Sequence, residues 1–469
     1  MKRALSVFLV AIASAASFAA DSWFGIYIGD SKIGYSMMRS LPPAIPGGPA
    51  SSQSLTVMKG KLLGSDLDMQ INSRTDYNKD SSPLKLTYDM ESSGRTQTVV
   101  ANFEPGKIIA QINNNGQISQ KIIEVPAGVK VVDDATNMLV LGGANATKSF
   151  KVMVLDPTTV SLIENEVVVK GPAELLVKGQ KRSGTLVEVR DPRSLTKIYF
   201  DGKGEVIRID AALGMMMVPE SEPEAKRGVG EDRPDIGTTA AIRVEPNLER
   251  SLDTILVEYV VSGADLSKIP SDNYQTLGKA GPTWVVSVHP TQEDRSNGDL
   301  ISVAASKANK RWIQPSLHIP SDQKRFKDLA AKVVGNSKYS LEASRKISKY
   351  VMGVMNDNGS IGVLRNANEI LDSKEGVCRD YAILAATIMR AAGIPTRVVS
   401  GLIYYDGQML YHAWVEVFSG SKWIMQDPTR ANQPTNATRI KLAQGDVEDA
   451  FTFPVFEGVE IGLGDVRYR

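Results

Sequence analysis

The sequence predicts an α+β chain, in which an antiparallel β-rich half precedes a mixed domain built on a cysteine-bearing helix and an antiparallel sheet. Three observations lead to this prediction: strand-like segments divided by turn dipeptides up to Met217, helical periodicity from Ser321, and a return to strands after Gly393. Alternating or β-branched segments between turn dipeptides favour hairpins, whereas apolar residues spaced three and four apart favour helices. The 469 residues suffice for about three domains.

The β-rich half covers residues 20–218 and is predicted to form one or two antiparallel domains. Its strand-like segments are short and rich in Val, Ile, Thr and Tyr. They are Leu55–Leu63, Leu84–Met90, Thr96–Phe103, Ile108–Ile112, Thr185–Val189 and Lys197–Phe200. Asn115-Gly116 and Asp201-Gly202 predict hairpin turns, because both residues of such a turn tend to need a positive φ.

Residues 1–19 are typical of a secretory signal peptide. A basic pair precedes an apolar run from Ala4 to Ile12, and the small residues Ser17 and Ala19 favour cleavage after Ala19. The alternative is an N-terminal membrane anchor, but the apolar run is shorter than the roughly 20 residues that cross a bilayer. We therefore expect a periplasmic or secreted bacterial protein with no integral membrane segment after cleavage.

The composition excludes several classes of function. The 54 Lys and Arg balance 53 Asp and Glu, which argues against a nucleic-acid partner. A single cysteine forms neither an intramolecular disulfide nor a Cys-rich metal site, and the chain has no calcium-loop motif. The sequence therefore predicts no metal and no cofactor, and it leaves the oligomeric state open.

A linker is predicted between the two halves. Residues 219–235 are charged, contain proline and carry few apolar residues, which is typical of linkers. A β-rich intermediate segment follows at residues 236–319, with strand-like stretches at Ala240–Val244, Thr254–Val261 and Thr283–His289.

Helical periodicity then predicts three helices. The first runs from an N-cap at Ser321 to a stop at Gly335, and the second covers Ser340–Met355. The third, Gly376–Gly393, carries Cys378 in its first turn, where the helix dipole and free N–H groups favour the nucleophilic thiolate. The alternative is that Cys378 is a small apolar residue of the core.

Three strands follow the third helix, and they carry a histidine and an aspartate. His412 lies in the strand Met409–Phe418, and Asp427 follows the strand Lys422–Gln426. A two-residue loop at Gly420-Ser421 makes Asp427 a diagonal neighbour of His412 on one face, about 7–8 Å away at the backbone. A three-residue loop without a bulge sends Asp427 to the opposite face. The pattern therefore permits a His–Asp pair without requiring it.

Four blocks of this region resemble the signature blocks of the bacterial transglutaminase-like domain, in order and in spacing. They are G-V-C-R-D-Y-A at Gly376–Ala382, R-A-A-G-I-P-T-R-V-V at Arg390–Val399, Y-H-A-W-V-E-V at Tyr411–Val417 and W-I-M-Q-D-P-T at Trp423–Thr429. The resemblance covers about residues 320–435 and implies a papain-like catalytic domain at residues 320–440. It implies Cys378 as nucleophile, His412 as general base and then acid, and Asp427 as the carboxylate that orients the ring.

Other residues receive structural interpretations. Asp380 also matches the family pattern, and we interpret it as a first-turn carboxylate favoured by the helix dipole. Trp414 and Trp423 are expected in the core, and His289 and His318 are expected to be structural or surface residues. The C-terminal extension, residues 441–469, is expected to add a strand to the catalytic domain, packed through Phe451, Phe453 and Phe456.

The function implied by these residues is that of an exported acyl transferase or amidohydrolase, which acts on amide groups of proteins or peptides through a thioester. One alternative is a papain-like cysteine protease. Another is a non-catalytic periplasmic binding or scaffold protein that retains a relic triad. A Cys–His–Asp metal site is a further alternative, but no fourth ligand is evident. The second donor to the oxyanion is not assigned.

Overall fold

The structure, a computed structural model, describes residues 21–43, 49–62, 65–142, 149–192, 194–236, 241–290, 297–451 and 458–469. The predicted signal peptide at residues 1–19 and two of the tail phenylalanines, Phe453 and Phe456, lie outside these ranges. Inside them, no helix has the length and apolar character needed to cross a membrane.

Across its described residues, the first half of the chain forms one sheet of fifteen strands. These are β1 (Ser22–Ile28), β2 (Ser31–Leu41), β3 (Ala50–Leu62), β4 (Ser65–Tyr77), β5 (Pro83–Ser92), β6 (Arg95–Glu104), β7 (Lys107–Asn114), β8 (Gln117–Glu124), β9 (Val131–Val132), β10 (Phe150–Asp156), β11 (Ser161–Val177), β12 (Gln180–Arg190), β13 (Leu195–Phe200), β14 (Val206–Asp210) and β15 (Met215–Glu220). Their order is β8-β7-β6-β5-β4-β3-β2-β1-β15-β14-β13-β12-β11-β10-β9, with β9 and β10 parallel. The first and last strands of this half therefore pair in the middle of the sheet.

Alternation of side chains explains how these strands bury one face. In β5, Leu86, Tyr88 and Met90 are buried, whereas the charged residues Asp89 and Glu91 are exposed. The turn at Asn115-Gly116 has φ values of 48° and 95°, as a two-residue hairpin turn requires. The six predicted strand segments all fall within observed strands, apart from Leu63, which lies outside the described residues.

The hairpin at Asp201-Gly202 differs from the predicted two-residue turn. Its loop runs from Asp201 to Glu205, and the positive φ of 84° is at Gly204. The Asp201 carboxylate accepts the backbone N–H groups of Lys203 and Glu205 at 2.8 and 2.9 Å. The Asp201 carboxylate thus organises a longer turn. The residue that adopts the left-handed conformation is therefore Gly204 and not the predicted Gly202.

The segment predicted as a linker, residues 219–235, lies against the first sheet. Glu220 completes β15, and its carboxylate accepts hydrogen bonds from Tyr27, Lys32 and Lys178 at 2.7–3.0 Å. The short helix that follows buries Ala225 completely. Charged residues of this segment therefore form ion pairs and hydrogen bonds with the sheet. Composition alone does not distinguish such paired charges from charges that face water.

The second half of the chain contains a nine-stranded sheet and a two-stranded ladder. The strands are β16 (Ile242–Glu245), β17 (Thr254–Ser262), β18 (Gln275–Ala280), β19 (Thr283–Val288), β20 (Asn356–Asp357), β21 (Glu375–Gly376), β22 (Thr396–Tyr405), β23 (Gln408–Ser419), β24 (Lys422–Gln426), β25 (Arg439–Gly445) and β26 (Glu460–Tyr468). The sheet order is β18-β19-β17-β26-β16-β23-β22-β25, with β24 on β23, while β20 and β21 form the ladder.

This topology joins segments that were predicted separately. Strands β16 to β19 of the intermediate segment share the sheet with β22 and β23, because β16 pairs with β23. The predicted division at 440/441 falls inside β25. The tail strand β26 does join this sheet, but its partners are β16 and β17 of the intermediate segment. Strand pairing across long sequence separations sets these boundaries, and local composition does not report it.

Helices cover one face of this sheet. The helices of the described chain are α1 (Ala135–Gly142), α2 (Glu222–Lys226), α3 (Ile301–Lys307), α4 (Lys324–Val334), α5 (Ser340–Val354), α6 (Ala367–Ser373), α7 (Cys378–Ala391) and α8 (Val447–Ala450). Buried residues of α4 to α7 form one hydrophobic cluster with Ala413, Val415 and Val417 of β23. The N-cap of helix α4 is Gln323. Ser321, the predicted N-cap, lies in the preceding turn. Gly335 ends the helix with a φ of 58°.

The first sheet also contacts the loop between β20 and α6. Ile361 and Val363 of this loop are buried in a hydrophobic cluster with Leu86 and other residues of the first sheet. The Oγ of Ser92 accepts the backbone N–H of Gly362 at 3.1 Å. The β-rich half therefore packs against the loop that leads into α6.

Candidate active site

Cys378 is the first residue of α7, and it is free and partly buried. Val377, the N-cap, has extended backbone geometry, and its N–H donates to the Asp380 carboxylate at 3.0 Å. The first N–H groups of a helix have no acceptor within the helix, and they give this end a partial positive charge. The thiol therefore stands where a negative charge is stabilised.

Asp380 is fully buried and pairs with a residue that the sequence did not single out. Both the Arg365 and Asp380 side chains have 0% exposure, and Arg365 Nη2 lies 3.0 Å from Asp380 Oδ1. Arg365 also donates to the carbonyl of Glu375 at 2.6 Å. A Cβ at Gly376 would lie 2.5 Å from the Asp380 Cβ, so a glycine is needed there. These contacts agree with a structural role for Asp380 and hold the chain just before Cys378.

The hairpin of β23 and β24 brings His412 and Asp427 together. Ser419 pairs with Lys422, so the loop is the two residues Gly420 and Ser421, with φ values of 58° and 66°. His412 Nε2 donates to Asp427 Oδ2 at 2.9 Å. The two-residue alternative is therefore the one adopted, and it places the imidazole and the carboxylate on the same face.

Gly401, the β22 residue opposite His412, lies where a side chain would not fit. It pairs with His412 across β22 and β23, next to a register shift between β22 and β25 at Ser400/Gly401. A Cβ on Gly401 would overlap the carbonyl oxygen of Ile440 and lie 2.9 Å from the Trp414 ring. Bulges re-aim side chains next to functional sites. Beside this bulge, the Trp414 ring stacks on the His412 ring with centroids 6.2 Å apart.

The Cys378 thiol is close enough to His412 to interact with the imidazole and to raise its pKa. Because Nε2 is used by Asp427, Nδ1 is the ring nitrogen left for the thiol. The three residues therefore form a chain of thiol, imidazole and carboxylate at the N-terminus of α7. The sequence predicts all three residues, and the structure brings them together.

Asp427 is surrounded by donors. Its Oδ1 accepts the Thr429 N–H at 3.0 Å and the Thr429 hydroxyl at 2.7 Å. Its Oδ2 accepts Arg439 Nε at 3.1 Å and Nη2 at 2.7 Å, in addition to His412. Burial raises the pKa of Asp427, but His412 and Arg439 outweigh burial and hold the pKa well below its ordinary range. The carboxylate is therefore ionised throughout the neutral range.

The imidazole has a raised pKa. Burial lowers the pKa of His412, but the charges and hydrogen bonds of Asp427 and Cys378 outweigh burial and raise it from 6.5 to about 9. An imidazole with this pKa is largely protonated at neutral pH. It can therefore stabilise a thiolate on Cys378 as an ion pair.

The raised pKa of His412 predicts how stability depends on pH. In the folded state the pKa is about 9, against 6.5 for an ordinary histidine, so the stabilisation is fully present below pH 6.5 and is lost as pH rises through 9. We expect the free energy of unfolding to fall by up to about 3 kcal/mol between pH 6 and pH 10. Urea titrations of the wild type and His412→Gln across this range measure it. The wild type should show the decrease and the variant should lack this part of it; parallel curves would contradict the assignment.

A second group of buried charges lies on the face of the sheet opposite the helices. Lys441 and Glu416 each have 0% side-chain exposure, with Nζ 2.8 Å from Oε1. Arg397 pairs with Glu416 at 2.5 Å and with Asp272 at 3.0 Å, and Lys441 pairs with Asp272 at 2.6 Å. Two positive and two negative charges thus alternate around a closed ring. This ring ties Asp272 of the intermediate segment to β22, β23 and β25.

The remaining predicted residues have structural surroundings. Trp414 is fully buried, whereas Trp423 is half-buried and carries the Arg397 guanidinium 4.1 Å from its ring centroid. His318 is buried, and burial lowers its pKa. His289 is half-buried beside Ser287. In the part of the chain that the structure describes, no group of three or more His, Cys, Asp or Glu side chains is placed to hold a metal ion.

The sequence analysis missed Arg365, Arg439 and the ring of buried charges. Arg365 and Arg439 lie outside the blocks that carry the resemblance, at positions where an arginine ordinarily predicts a solvated surface. A faint signal existed at Arg439 and Lys441, two charged residues in the apolar segment Arg439–Ala443, which reads as a strand. Such residues in a strand indicate buried partners, but they do not identify them.

Comparison with known proteins finds a family match within the second half of the chain. Residues 327–428 match the family model of the Transglutaminase-like superfamily, and this range includes Cys378, His412 and Asp427. An uncharacterised protein of Mycobacterium leprae is 33% identical over 114 residues, which are 23% of this chain and 39% of that protein. The protein-glutamine gamma-glutamyltransferase of Pseudomonas aeruginosa is 37% identical over 113 residues, which are 21% of this chain and 16% of that enzyme.

These matches cover well under half the length of either relative. A solved structure of a candidate cysteine protease from Cytophaga hutchinsonii aligns with 46% of this chain and 87% of its own, at 18% identity and a TM-score of 0.33. A TM-score at that level supports no inference about a shared fold.

Proposed function

Because this chain is a transglutaminase-like domain protein, we propose that it is a papain-like cysteine enzyme that transfers acyl groups from the amide side chains of proteins or peptides. The observation that carries this proposal is the placement of His412 between the Cys378 thiol and the Asp427 carboxylate. A thiol, a base and an orienting carboxylate in this order are the parts that nucleophilic acyl transfer requires.

In the first half-reaction, the Cys378 sulfur attacks the carbonyl carbon of a carboxamide such as a glutamine side chain. The thiol proton is held by His412, and the Asp427 carboxylate stabilises the imidazolium. The N–H of Cys378 at the start of α7 stabilises the oxyanion of the tetrahedral intermediate. His412 then gives its proton to the leaving nitrogen, the C–N bond breaks, and ammonia and a thioester result.

In the second half-reaction, an acceptor attacks the thioester carbonyl. His412, now neutral, takes a proton from the acceptor, and the C–S bond breaks to regenerate the thiol. A primary amine gives a new amide bond, and water gives a carboxylic acid. The likeness to the P. aeruginosa protein, which is named a protein-glutamine gamma-glutamyltransferase, favours the amine.

We further propose that the enzyme works outside the cytoplasm. The support is the pattern of residues 1–19, in which a basic pair, an apolar run and small residues succeed one another. A single cysteine suits an oxidising compartment, since the chain has no second thiol with which the nucleophile could be joined in a disulfide. N-terminal sequencing of protein recovered from the periplasm or medium tests this, and a mature chain that begins at Ala20 is expected.

Incorporation of a labelled amine tests the reaction. A fluorescent primary amine is incubated with the protein and with a glutamine-rich acyl-donor protein whose lysines are dimethylated, so that the label has no competing amine. We expect covalent label on the acyl-donor protein, with release of one ammonia for each label. Cys378→Ala should abolish both signals, because it removes the only thiol of the chain.

The same incubation separates the alternatives. Ammonia release without label identifies a deamidase, and new amino termini without label identify a protease. If none of these products forms, and the thiol of Cys378 reacts with iodoacetamide like an ordinary thiol, the protein is a binding or scaffold protein with a relic triad.

A further inference from the structure

Arg439 makes direct contact with the orienting carboxylate of the site. Its Nε and Nη2 both donate to Asp427 Oδ2, at 3.1 and 2.7 Å, and this is the oxygen that also receives His412 Nε2. The guanidinium thus binds the same oxygen that orients the imidazole, while Oδ1 accepts the Thr429 hydroxyl. A planar guanidinium fixes direction in a way that a single ammonium cannot.

The guanidinium is itself held from behind. Its Nη1 donates to Asn436 Oδ1 at 3.1 Å and to Thr438 Oγ1 at 3.2 Å. The Arg439 side chain is only 3% exposed, and its backbone carbonyl accepts the Tyr274 hydroxyl at 3.0 Å. Every side of the charge is therefore fixed by neutral or anionic partners, so Arg439 has no freedom to leave Asp427 without breaking several buried hydrogen bonds.

We infer that Arg439 is a positioning residue of the reaction: it holds the Asp427 oxygen that aligns His412, and its charge offsets part of the negative charge that His412 experiences. This inference rests on the proposed function, because it assigns Arg439 a part in the same thiol–imidazole–carboxylate chain. Arg439 lies beyond the residues of the family match, which end at 428.

The chemistry requires such an offset. In the second half-reaction His412 must be neutral to take a proton, and a lone buried carboxylate beside it favours the imidazolium too strongly. A fixed positive charge behind Asp427 moderates this preference, while Asp427 stays ionised. Arg439 thus lets one imidazole serve as acid in the first half-reaction and as base in the second.

Removing this charge should move the pH dependence of the site. Loss of a nearby positive charge makes thiolate formation at Cys378 harder and proton loss from His412 harder, so both limbs of the pH profile shift to higher pH. A buried charge at this range is expected to move them by about one pH unit, which lowers amine incorporation at pH 7 by about tenfold.

Other charged and titratable groups face the same site. Arg345 and Arg430 line a cavity together with Asp427 and Arg439, and the charge of Arg439 also acts on the Tyr274 and Tyr259 hydroxyls. None of these four side chains is changed by a substitution at Arg439. Their effect on the pH profile is therefore expected to be the same in the wild type and in the variants.

The test measures the rate of iodoacetamide modification of Cys378 from pH 4 to pH 10, and amine incorporation over the same range. Arg439→Gln should shift both limbs upward by about one unit, and Arg439→Lys should return the limbs to within a few tenths of a unit of the wild type while the maximal rate stays at least threefold lower. Arg467→Gln, which removes a side chain that is 66% exposed, is the matched control and should change neither.

Each outcome decides the inference. Limbs of Arg439→Gln that coincide with those of the wild type overturn it, even if the yield of folded protein falls, since a purely structural role lowers yield without moving pH positions. If Arg439→Gln does not fold, Arg439→Lys decides: a lower rate with unmoved limbs supports positioning, and a wild-type rate overturns it. A wild-type thiol with an ordinary pH profile, near 8.5, instead refutes the proposed function.

Discussion

His412→Gln is expected to lower amine incorporation at pH 7 by about 10³-fold or more, because it removes the group that accepts the thiol proton and later donates it. It also removes the imidazolium partner of the thiolate. The pKa of His412, raised to about 9, keeps that partner charged at neutral pH in the wild type. Without it, Cys378 should react as an ordinary thiol, with a midpoint near pH 8.5 and roughly tenfold slower alkylation at pH 7.

Alkylation is a clean readout in this chain. Cys378 is its only cysteine, so mass spectrometry of the intact protein reports one site, and Cys378→Ala supplies the blank. His289→Gln is the matched control, because His289 is half-buried beside Ser287 and has no place in the chain of contacts at the site. Its alkylation profile should overlie that of the wild type.

Two results would contradict this expectation. One is a wild-type thiol that reacts only above about pH 8.5, which would mean that no ion pair activates it. The other is a His412→Gln variant that keeps the rapid modification at pH 7. In that case the N-terminus of α7, and not the imidazole, would be what activates Cys378.

Lys441→Met is expected to destabilise the protein by about 3–5 kcal/mol, the largest effect on folding that we predict from a single substitution. Lys441 and Glu416 have no exposed side-chain surface, and they belong to a ring of two positive and two negative charges. Removing Lys441 leaves Asp272 and Glu416 to share Arg397, so one buried negative charge is uncompensated. Urea unfolding at pH 7 measures the change.

The double variant distinguishes charge balance from packing. Lys441→Met with Glu416→Gln restores neutrality, so it should recover a large part of the stability lost in Lys441→Met alone. Lys422→Met in the same sheet is the control, because Lys422 is exposed, and its free energy of unfolding should change by less than about 0.5 kcal/mol. A double variant that is as unstable as the sum of the two single variants would show that packing, not charge, sets the cost.

Elements with a strong local signal follow from the sequence. The helix at Cys378 has an apolar face, a glycine stop at Gly393 and a proline after it, and it extends over Cys378–Ala391 in the structure. The turn at Asn115-Gly116 likewise needs only two adjacent residues to specify it. Both are decided within a few residues, where propensity and periodicity act.

Elements that depend on distant partners do not follow from the sequence. The tail strand Glu460–Tyr468 joins β16 and β17, some 200 residues earlier, and no local pattern reports such a pairing. The charged residues 219–235 have the composition of a solvated linker, yet Glu220 accepts hydrogen bonds from Tyr27, Lys32 and Lys178. Composition cannot separate a charge that faces water from one that faces an opposite charge.

The sequence alone predicted which residues compose the candidate site: a cysteine at a helix start, a histidine in a strand, and an aspartate after the next strand. It left open whether His412 and Asp427 share a face, because a loop of two residues and a loop of three give opposite answers. The tertiary structure decided this through the pairing of Ser419 with Lys422. It also brought Arg439 behind Asp427, because electrostatic partners are chosen by proximity in space, which strand pairing creates and the order of residues does not record.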